Sequence, residues 1–220
     1  MLSLEEREIR RKQLGASEIY KILNFDTQQA QDLFELKIGL QDYIELDNDA
    51  ITCGNILEED CLMYYANENN VELVLNERIE HPKIKNLVAS LDAREEKTSI
   101  PVENKCINNE TWLGWIAKRA YNATYGDIKL NIPKSYYCQA QLQMAVLSSN
   151  IAILNVNTFT SEEQEDPLNV VITDIHNKQV AIHRDDDLIN ELEKRATYFL
   201  NCIKFKRRPS EIEYLEKYKF

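Results

Sequence analysis

Apolar residues recur along the chain with two different periods, and the change between them separates helical from extended stretches. In the first third they recur every three or four positions, as on one face of an α-helix. This spacing predicts helices over 3–13, 17–24, 28–38 and 48–69, with Ser17 as the N-cap of the second. One stripe of the longest helix is predicted to be buried: Ala50, Cys53, Leu57, Cys61 and Tyr64.

From residue 71 the period shortens to two, which is typical of half-buried β-strands. Three successive strands are predicted over 71–81, 84–92 and 99–106, and the polar stretch 94–98 suits a hairpin between the last two. Residues 107–132 carry a mixed pattern with some helical character. Four residues contribute that character: Trp112, Trp115, Ile116 and Ala120.

A helix is predicted from Pro133 to about residue 148, because proline is favoured in the first turn of a helix. Its buried side would comprise four residues: Tyr137, Ala140, Met144 and Leu147. The remaining pattern predicts three strands and two helices: strands over 151–159, 168–175 and 179–184, a helix from about 186 to 205, and a short helix after Pro209. A tight His-Asn-Lys turn would join the last two strands.

The order of these elements predicts an α/β fold with a central mixed β-sheet flanked by helices. The chain has 220 residues, 44% of them hydrophobic, and only five glycines and five prolines. It is long enough for one well-packed domain and short for two. We therefore expect a single domain over residues 1–220.

The sequence carries no pattern for export or for a membrane. No apolar run approaches the roughly 18 to 20 residues that a membrane span needs. The first residues alternate charges with leucine and isoleucine, unlike a secretory signal. The five cysteines are scattered without CxxC spacing, which favours free thiols in a reducing cytoplasm over a disulfide framework.

The net charge of −11 argues against a nucleic-acid partner, because phosphate binding normally uses clustered lysines and arginines. Two basic blocks, at 10–12 and 204–208, nevertheless leave room for a local positive strip. Neither a glycine-rich phosphate loop nor histidines with zinc-ligand spacing are present, which argues against an ATP-driven motor and a zinc enzyme.

The strongest chemical signal is an acid followed eleven residues later by a Glu-x-Lys triplet. On a strand, Glu103 and Lys105 point to one face, and a hairpin would bring Asp92 close to Glu103. Two neighbouring carboxylates repel each other, and a divalent cation relieves that repulsion. Mg²⁺ prefers oxygen ligands and keeps waters, one of which can attack a phosphorus. Lys105 could orient that water, help to remove its proton or neutralise charge on the phosphate.

Glu-x-Lys triplets are common in a charged chain, and by itself this one is equally consistent with a solvated strand face. Similar triplets begin at Glu35, Glu95 and Asp127, but only Glu103 follows an acid, a turn and a second strand in that order. Glu58 adds weight, because it lies beside an apolar stripe where burial is costly for a lone carboxylate. Its simpler interpretation is a glutamate at a helix edge, paired with a lysine.

An ordered set of short blocks runs through about two-thirds of the chain. The blocks are Arg10, Gly15-Ala16-Ser17-Glu18, Gly54-x-x-x-Glu58, Ser90-x-Asp92, Glu103-x-Lys105-Cys106 and Tyr136-Tyr137-x-Gln139. Their succession, over about residues 10–147, resembles the YqaJ-type viral recombinases, the phage lambda exonuclease-like family. No single block is specific, but the ordered set is.

The resemblance implies a PD-(D/E)XK (restriction-endonuclease-like) core that digests linear double-stranded DNA from the 5′ end in phage-type recombination. The cofactor it implies is Mg²⁺ or Mn²⁺. Glu58, Asp92 and Glu103, together with the Val102 carbonyl, would hold the metal. Lys105 would serve the nucleophilic water.

The resemblance also implies roles for three further residues and for partners. Gln139 would contact the metal site or its water, whereas its simpler interpretation is a polar residue on the exposed side of a helix. Arg10 and Ser17 would grip the 5′ phosphate, and a plain surface arginine and a plain N-cap are their simpler interpretations. A homo-oligomer, by resemblance a trimer, and a single-strand annealing protein are the implied partners.

Four positions depart from the family pattern: Leu91, Ala93, Asn104 and Ile107. None of them removes a predicted metal ligand. Two alternatives therefore stand beside the exonuclease: an endonuclease with the same core, and a catalytically silent DNA-binding or assembly subunit. Residues 150–220 are expected to complete the sheet and to add the C-terminal helices.

Overall fold

A curled mixed β-sheet runs through the centre of the molecule, which we describe from a computed structural model covering residues 3–43, 49–117 and 122–218. Its strands are β1 (Leu14–Gly15), β2 (Leu73–Glu80), β3 (Leu87–Glu95), β4 (Pro101–Asn108), β5 (Ala123–Tyr125), β6 (Ile128–Leu130), β7 (Ile151–Phe159) and β8 (Asn177–His183). They are ordered β1-β3-β4-β7-β8-β5-β6, with β2 paired to β3. The β1–β3 and β4–β7 pairs are parallel, and the others are antiparallel.

Helices cover both faces of this sheet. They are α1 (Leu4–Lys12), α2 (Gln28–Lys37), α3 (Asp49–Asn69), α4 (Asn109–Ala117), α5 (Lys134–Leu147), α6 (Ser161–Glu165), α7 (Asp186–Phe205) and α8 (Glu211–Lys217). Two 3₁₀ helices, Ala16–Ile22 and Pro167–Asn169, join them. No helix in the described ranges is long and apolar enough to cross a membrane.

The core lies in two layers, one on each side of the sheet. On one side α5 packs between the sheet and α7, where Phe25, Leu142 and Phe199 are buried in one cluster. On the other side α3 covers β4 and β7 through smaller clusters around Leu57 and Tyr65. Burial of this apolar area is the main source of stability for such a layered fold.

Two strands, β1 and β4, pair with different parts of the same edge of strand β3, and this arrangement positions the candidate site. β1 pairs with it only at Leu87 and Val88, and β4 only at Ala93 and Arg94. Between these short pairings β3 and β4 diverge. The gap leaves room for side chains at the point where Asp92 faces β4.

Most of the predicted elements are confirmed. Helices α1, α2, α3, α5, α7 and α8 and strands β2, β3, β4, β7 and β8 occur close to the predicted bounds. In the predicted stripe of α3, Cys53, Leu57 and Cys61 are buried, Tyr64 is half-buried, and the Ala50 side chain lies outside the described part. The single domain over residues 1–220 stays a prediction.

Three predictions are corrected. The segment predicted as a helix over 17–24 is a 3₁₀ helix whose N-cap is Gly15, so Ser17 lies inside its first turn and does not cap it. The strand predicted over 168–175 is wrong: that segment is the second 3₁₀ helix followed by a loop and a turn, and β8 pairs with β7 instead. Residues 109–117 are helical, but strands β5 and β6 follow them, and Ala120 falls outside the described residues.

Candidate active site

The divergence of β3 and β4 brings three predicted residues together. The register that pairs Ala93 with Val102 places Asp92 opposite Glu103, one step further along the two strands. There the Asp92 side chain replaces the missing ladder bond, because its Oδ2 accepts a hydrogen bond of 2.8 Å from the main-chain N–H of Asn104. The predicted hairpin and the predicted proximity of Asp92 and Glu103 therefore both occur.

Lys105 lies between the two carboxylates. Its Nζ donates to Glu103 Oε1 at 2.6 Å and to the main-chain oxygen of Asn104 at 2.9 Å, and it lies 4.0 Å from Asp92 Oδ2. The ring of Tyr136 faces the same ammonium group at 5.6 Å. Burial by itself would lower the pKa of Lys105, but the charges of Glu103 and Asp92 raise it above its ordinary value.

Two glutamines on α5 hold the carboxylate of Glu103 from the other side. Gln139 Nε2 donates to Oε1 and Gln143 Nε2 donates to Oε2, each at 2.6 Å. All three side chains are buried. The simpler interpretation of Gln139, a polar residue on the exposed side of the helix, is therefore wrong. Sequence reasoning missed Gln143, although its spacing of four residues from Gln139 puts both on one helix face.

Burial favours the neutral forms of two of the acids, Asp92 and Glu58. Burial and the negative charge of Glu103 raise the pKa of Asp92 to about 7, against the opposing charge of Lys105. Burial also raises the pKa of Glu58 on α3, against the opposing charge of Lys105. Glu58 is half-buried, and no carboxylate–lysine ion pair involving it occurs in the described ranges. We call Asp92, Glu103 and Lys105 the acidic centre.

The residue between the two charged members of the triplet belongs to a buried amide network on the opposite face of β4. Asn104 Oδ1 accepts hydrogen bonds from Asn155 Nδ2 at 3.0 Å and from Asn157 Nδ2 at 2.9 Å, both on β7. Asn177 Nδ2, on β8, donates to Oδ1 of Asn155 and of Asn157 at 2.7 and 3.0 Å. The network ties the strand of the acidic centre to its neighbour β7 and, through β7, to β8.

Arg10 and Ser17 lie elsewhere, in a small cavity that we call the anion pocket. It encloses about 90 Å³, and Ser90 and Arg78 also line it. Arg78 Nη1 donates to Ser90 Oγ at 3.3 Å. Burial and the charge of Arg10 lower the pKa of Arg78, against the opposing charge of Glu18. Glu18 also lines the pocket but is paired with Lys37, so an anion would neutralise the two guanidinium groups.

One residue connects the anion pocket with the acidic centre. Gln143 Nε2, which donates to Glu103, also lies 3.5 Å from the main-chain oxygen of Ser90. Arg78 and Ser90 were not predicted to have a role in the site. The only signal for Ser90 was its place in the Ser-x-Asp block, and Arg78 carries no sequence signal.

The donor set fits a divalent cation held by two carboxylates. Asp92 and Glu103 supply the oxygen ligands that Mg²⁺ prefers, and Mg²⁺ is often bound by one or two carboxylates and several waters. Oε1 of Gln143 is a buried acceptor for which the described residues supply no hydrogen-bond donor. No three acidic, cysteine or histidine side chains of the described part lie close enough together to enclose a metal. The predicted ligation by Glu58 and by the buried strand residue Val102 stays a prediction.

Comparison with known proteins adds a family and a fold. Residues 7–152 match the model of the YqaJ-like viral recombinase domain family. A comparison with curated proteins gives no match.

Among solved structures, an alkaline exonuclease from Laribacter hongkongensis is similar at 23% identity and a TM-score of 0.70, over 98% of this chain and 97% of that one. Its complex with dAMP is similar at 24% identity and a TM-score of 0.71, over the same shares of the two chains. A phage-related exonuclease from Haemophilus somnus 129PT is similar at 17% identity and a TM-score of 0.60, over 88% of this chain and 96% of that one. These likenesses confirm the predicted fold class, the PD-(D/E)XK core.

Proposed function

This chain belongs to the YqaJ-like viral recombinase domain family, and from that membership we propose that it is a metal-dependent exonuclease that degrades linear double-stranded DNA from the 5′ end. The observation that carries the proposal is the position of the Lys105 ammonium group between the carboxylates of Asp92 and Glu103. The proposal agrees with the similar solved structures, which are an alkaline exonuclease and a phage-related exonuclease.

Each residue of the acidic centre has a definite task in phosphodiester hydrolysis. Bound there, Mg²⁺ or Mn²⁺ would polarise the phosphate and lower the pKa of an attacking water. Asp92 and Glu103 would hold the ion, with Glu58 and the Val102 carbonyl as the further ligands proposed. Lys105 donates hydrogen bonds and positive charge at the place where negative charge develops on the phosphate.

The glutamines orient these groups. Gln139 and Gln143 fix the Glu103 carboxylate through short hydrogen bonds, so that its direction is set before substrate arrives. Gln139 is also the residue proposed to contact the water of the site. A pre-oriented carboxylate loses little freedom in the transition state, which is how such supporting residues contribute to rate.

The 5′ end preference rests on the anion pocket. Arg10, Ser17, Arg78 and Ser90 offer two guanidinium groups and two hydroxyls, which suit the oxygens of a terminal phosphate. Gln143 contacts both Ser90 of this pocket and Glu103 of the acidic centre, which supports the proposal that a terminal phosphate held in the pocket directs cleavage to a phosphodiester nearby.

The activity test compares linear duplex DNA carrying 5′ phosphates in Mg²⁺ and in EDTA. Wild type should release mononucleotides only with the metal. Lys105→Ala should lose about 10² to 10³-fold in rate, as removal of a transition-state donor typically does. Lys97→Ala is the matched control, because Lys97 also ends a Glu-x-Lys triplet but is exposed in the β3–β4 turn, so this variant should behave as wild type. Equal, metal-insensitive rates in all three proteins would contradict the enzyme and favour a silent DNA-binding subunit.

The topology of the DNA substrate distinguishes the proposed exonuclease from the alternative, an endonuclease. A closed circular plasmid should resist the protein, since it offers no end for the anion pocket. Rapid nicking of the circle would favour an endonuclease with the same core. Linear duplexes with 5′ hydroxyls should be cut more slowly than those with 5′ phosphates, and Arg10→Ala should reduce that difference.

Assembly is the remaining part of the proposal. We expect a homo-oligomer, by resemblance a trimer, that acts with a single-strand annealing protein in phage-type recombination. Mass photometry should give a trimer mass, and a monomer at micromolar concentration would contradict it.

A further inference from the structure

Two basic segments that are distant in the sequence line one groove. Arg11 and Lys12 lie at the end of α1, and Lys204 and Lys206 lie at the end of α7. Lys85, from the connection between β2 and β3, lines the groove as well. The groove, which we call the basic groove, encloses about 890 Å³. It concentrates cations in a chain whose net charge is −11.

Four of these cations are exposed, and no carboxylate of the described residues pairs with them. Lys12, Lys85, Lys204 and Lys206 form no ion pair with any residue in the ranges that the structure describes. Arg11 differs, because two carboxylates already hold its guanidinium group. Like charges brought together from several elements repel each other, and a polyanion is the ligand that relieves this repulsion.

The basic groove adjoins the anion pocket. Lys37 lines both, and its side chain is buried in the wall between them, with its Nζ 2.8 Å from Glu18 Oε2. The floor between the cations is apolar, formed by Ile38, Leu200 and Ile203. Charged rims over an apolar floor suit a chain that carries phosphates on its outside and apolar sugar faces between them.

We propose that the basic groove binds the phosphodiester backbone of DNA away from the end that is cleaved. This inference rests on the proposed function, because it takes DNA as the ligand. Each phosphate that a lysine neutralises releases counterions, which strengthens binding without any base contact. An acidic polypeptide would also match the charges, but the shared wall with the anion pocket favours the ligand that the pocket itself would hold.

The test is the salt dependence of DNA binding, measured without cleavage. Fluorescence anisotropy in EDTA uses a labelled blunt duplex of about 30 base pairs with 5′ hydroxyls, so that a terminal phosphate does not dominate affinity. The groove variant is Lys85→Glu/Lys206→Glu. The matched control, Lys97→Glu/Lys217→Glu, makes the same charge change at exposed positions outside the groove.

The groove variant should bind about tenfold more weakly or worse at low salt. The slope of log affinity against log salt should become shallower by about two, roughly one for each lost phosphate contact. The control should change both quantities far less. Melting temperatures near that of wild type would show that the variants are folded. If Lys85→Glu/Lys206→Glu does not fold, Lys85→Gln/Lys206→Gln takes its place, because it removes the positive charges without reversing them.

Equal weakening in the groove variant and the control would overturn the proposal, because it would mean a general charge effect. Binding of the groove variant at wild-type strength would also overturn it and would leave an acidic polypeptide as the occupant to test. Failure of the nuclease proposal gives a different result: wild type would degrade no DNA, while the difference between groove variant and control would persist.

Discussion

Glu103 is held by donors on two sides of its carboxylate. Lys105 and Gln139 both donate to Oε1, and Gln143 donates to Oε2, all at 2.6 Å. Hydrogen bonds to an ionised acceptor are short and about twice as strong as neutral ones. One strand and one helix therefore fix the direction of this carboxylate together, which is the preorganisation that a catalytic carboxylate needs.

Replacing Gln143 by leucine should weaken the centre without removing a proposed metal ligand. The change deletes the donor to Glu103 Oε2 and leaves that oxygen buried without it. Partners of this kind typically contribute 10- to 100-fold to activity or metal affinity, so the rate of Gln143→Leu should fall by about that factor. The measurement is nuclease rate as a function of Mg²⁺ concentration.

Gln141→Leu on the same helix is the matched control. Gln141 is fully buried, but it bonds the main chain at His183 and Asp185, away from Glu103. Its loss should lower stability by about 1–3 kcal/mol and leave the rate per folded molecule unchanged. Equal rate losses in both variants would mean that helix α5 is disturbed as a whole.

Sequence reasoning reached Asp92, Glu103, Lys105 and Gln139, but not Gln143. The reason lies in the surroundings of α5, which packs against apolar clusters on more than one side, so that every residue from Cys138 to Val146 is buried. A helix buried all round has no exposed stripe, and its polar residues cannot be assigned to solvent by periodicity.

At the scale of the elements, four asparagines join β4, β7 and β8. Buried amides are costly unless they bond each other, and here Asn104, Asn155, Asn157 and Asn177 satisfy one another. The position of Asn104 between the charged residues of the triplet gives this network a consequence for the site. It holds the strand from the face opposite to the acidic centre.

Asn177→Ala should destabilise the protein by about 1–3 kcal/mol, because it leaves two buried carbonyl oxygens without their donor. Urea unfolding gives the free energy, and Asn67→Ala, at an exposed position on α3, should change it little. The double variant Asn104→Ala/Asn177→Ala should cost less than the sum of the two single changes, because they disrupt one network. Strict additivity would contradict a cooperative network.

Arg195 joins α7 to the C-terminal helix α8 and gives stability a dependence on pH. Its Nη2 donates to Glu211 Oε1 at 2.8 Å, and its guanidinium group lies 4.4 Å from the ring centre of Tyr214. Burial works to raise the pKa of Glu211, but hydrogen bonds from Arg195 and from the N–H of Phe25 outweigh it and hold the pKa below its ordinary value.

A lowered pKa in the folded state stabilises the protein above the unfolded pKa of about 4.3, and this contribution is lost as pH falls through the folded value. Glu211→Gln should therefore be less stable than wild type by a constant amount from about pH 5.5 upward, and the difference should shrink below about pH 4. Thermal melts of both proteins across pH 3–8, about one per pH unit, measure this difference in stability. A difference that grows at low pH would contradict the ion pair.

The wrong strand over 168–175 shows the limit of a period of two. Val170 and Ile172 do pack inward, against the cluster of α3 around Leu57, so the alternation is real. Leu168 and Ile175, however, are 81% and 73% exposed, and none of the described strands pairs with the segment. Alternation reports which side chains are buried, whereas a strand also needs a partner for its main chain. Strand β2 meets both conditions, because its burial alternates along much of its length and its main chain pairs with β3.

On the scale of the whole molecule, net charge is a poor guide to the ligand. The chain carries −11, and its acidic blocks at 162–166 and 185–187 lie apart from the basic segments in the sequence. The anion pocket and the basic groove collect cations locally, and local potential steers a polyanion. The overall negative charge would repel DNA from the remaining surface, which favours one orientation of approach.

Metal binding should stabilise the whole fold, because the ion relieves the repulsion between Asp92 and Glu103 and has no preformed site in the unfolded chain. A ligand present at about 100 times its dissociation constant adds roughly 2.7 kcal/mol. For a chain of this size that corresponds to a rise in melting temperature of about 5–10 °C.

Wild type should show this rise in melting temperature in Mg²⁺ relative to EDTA. Glu103→Gln should not, since it keeps the shape of the side chain and removes its charge, whereas Glu96→Gln, in the exposed turn between β3 and β4, should respond as wild type does. Equal rises in all three proteins would place the stabilising ion elsewhere, for example at the acidic blocks.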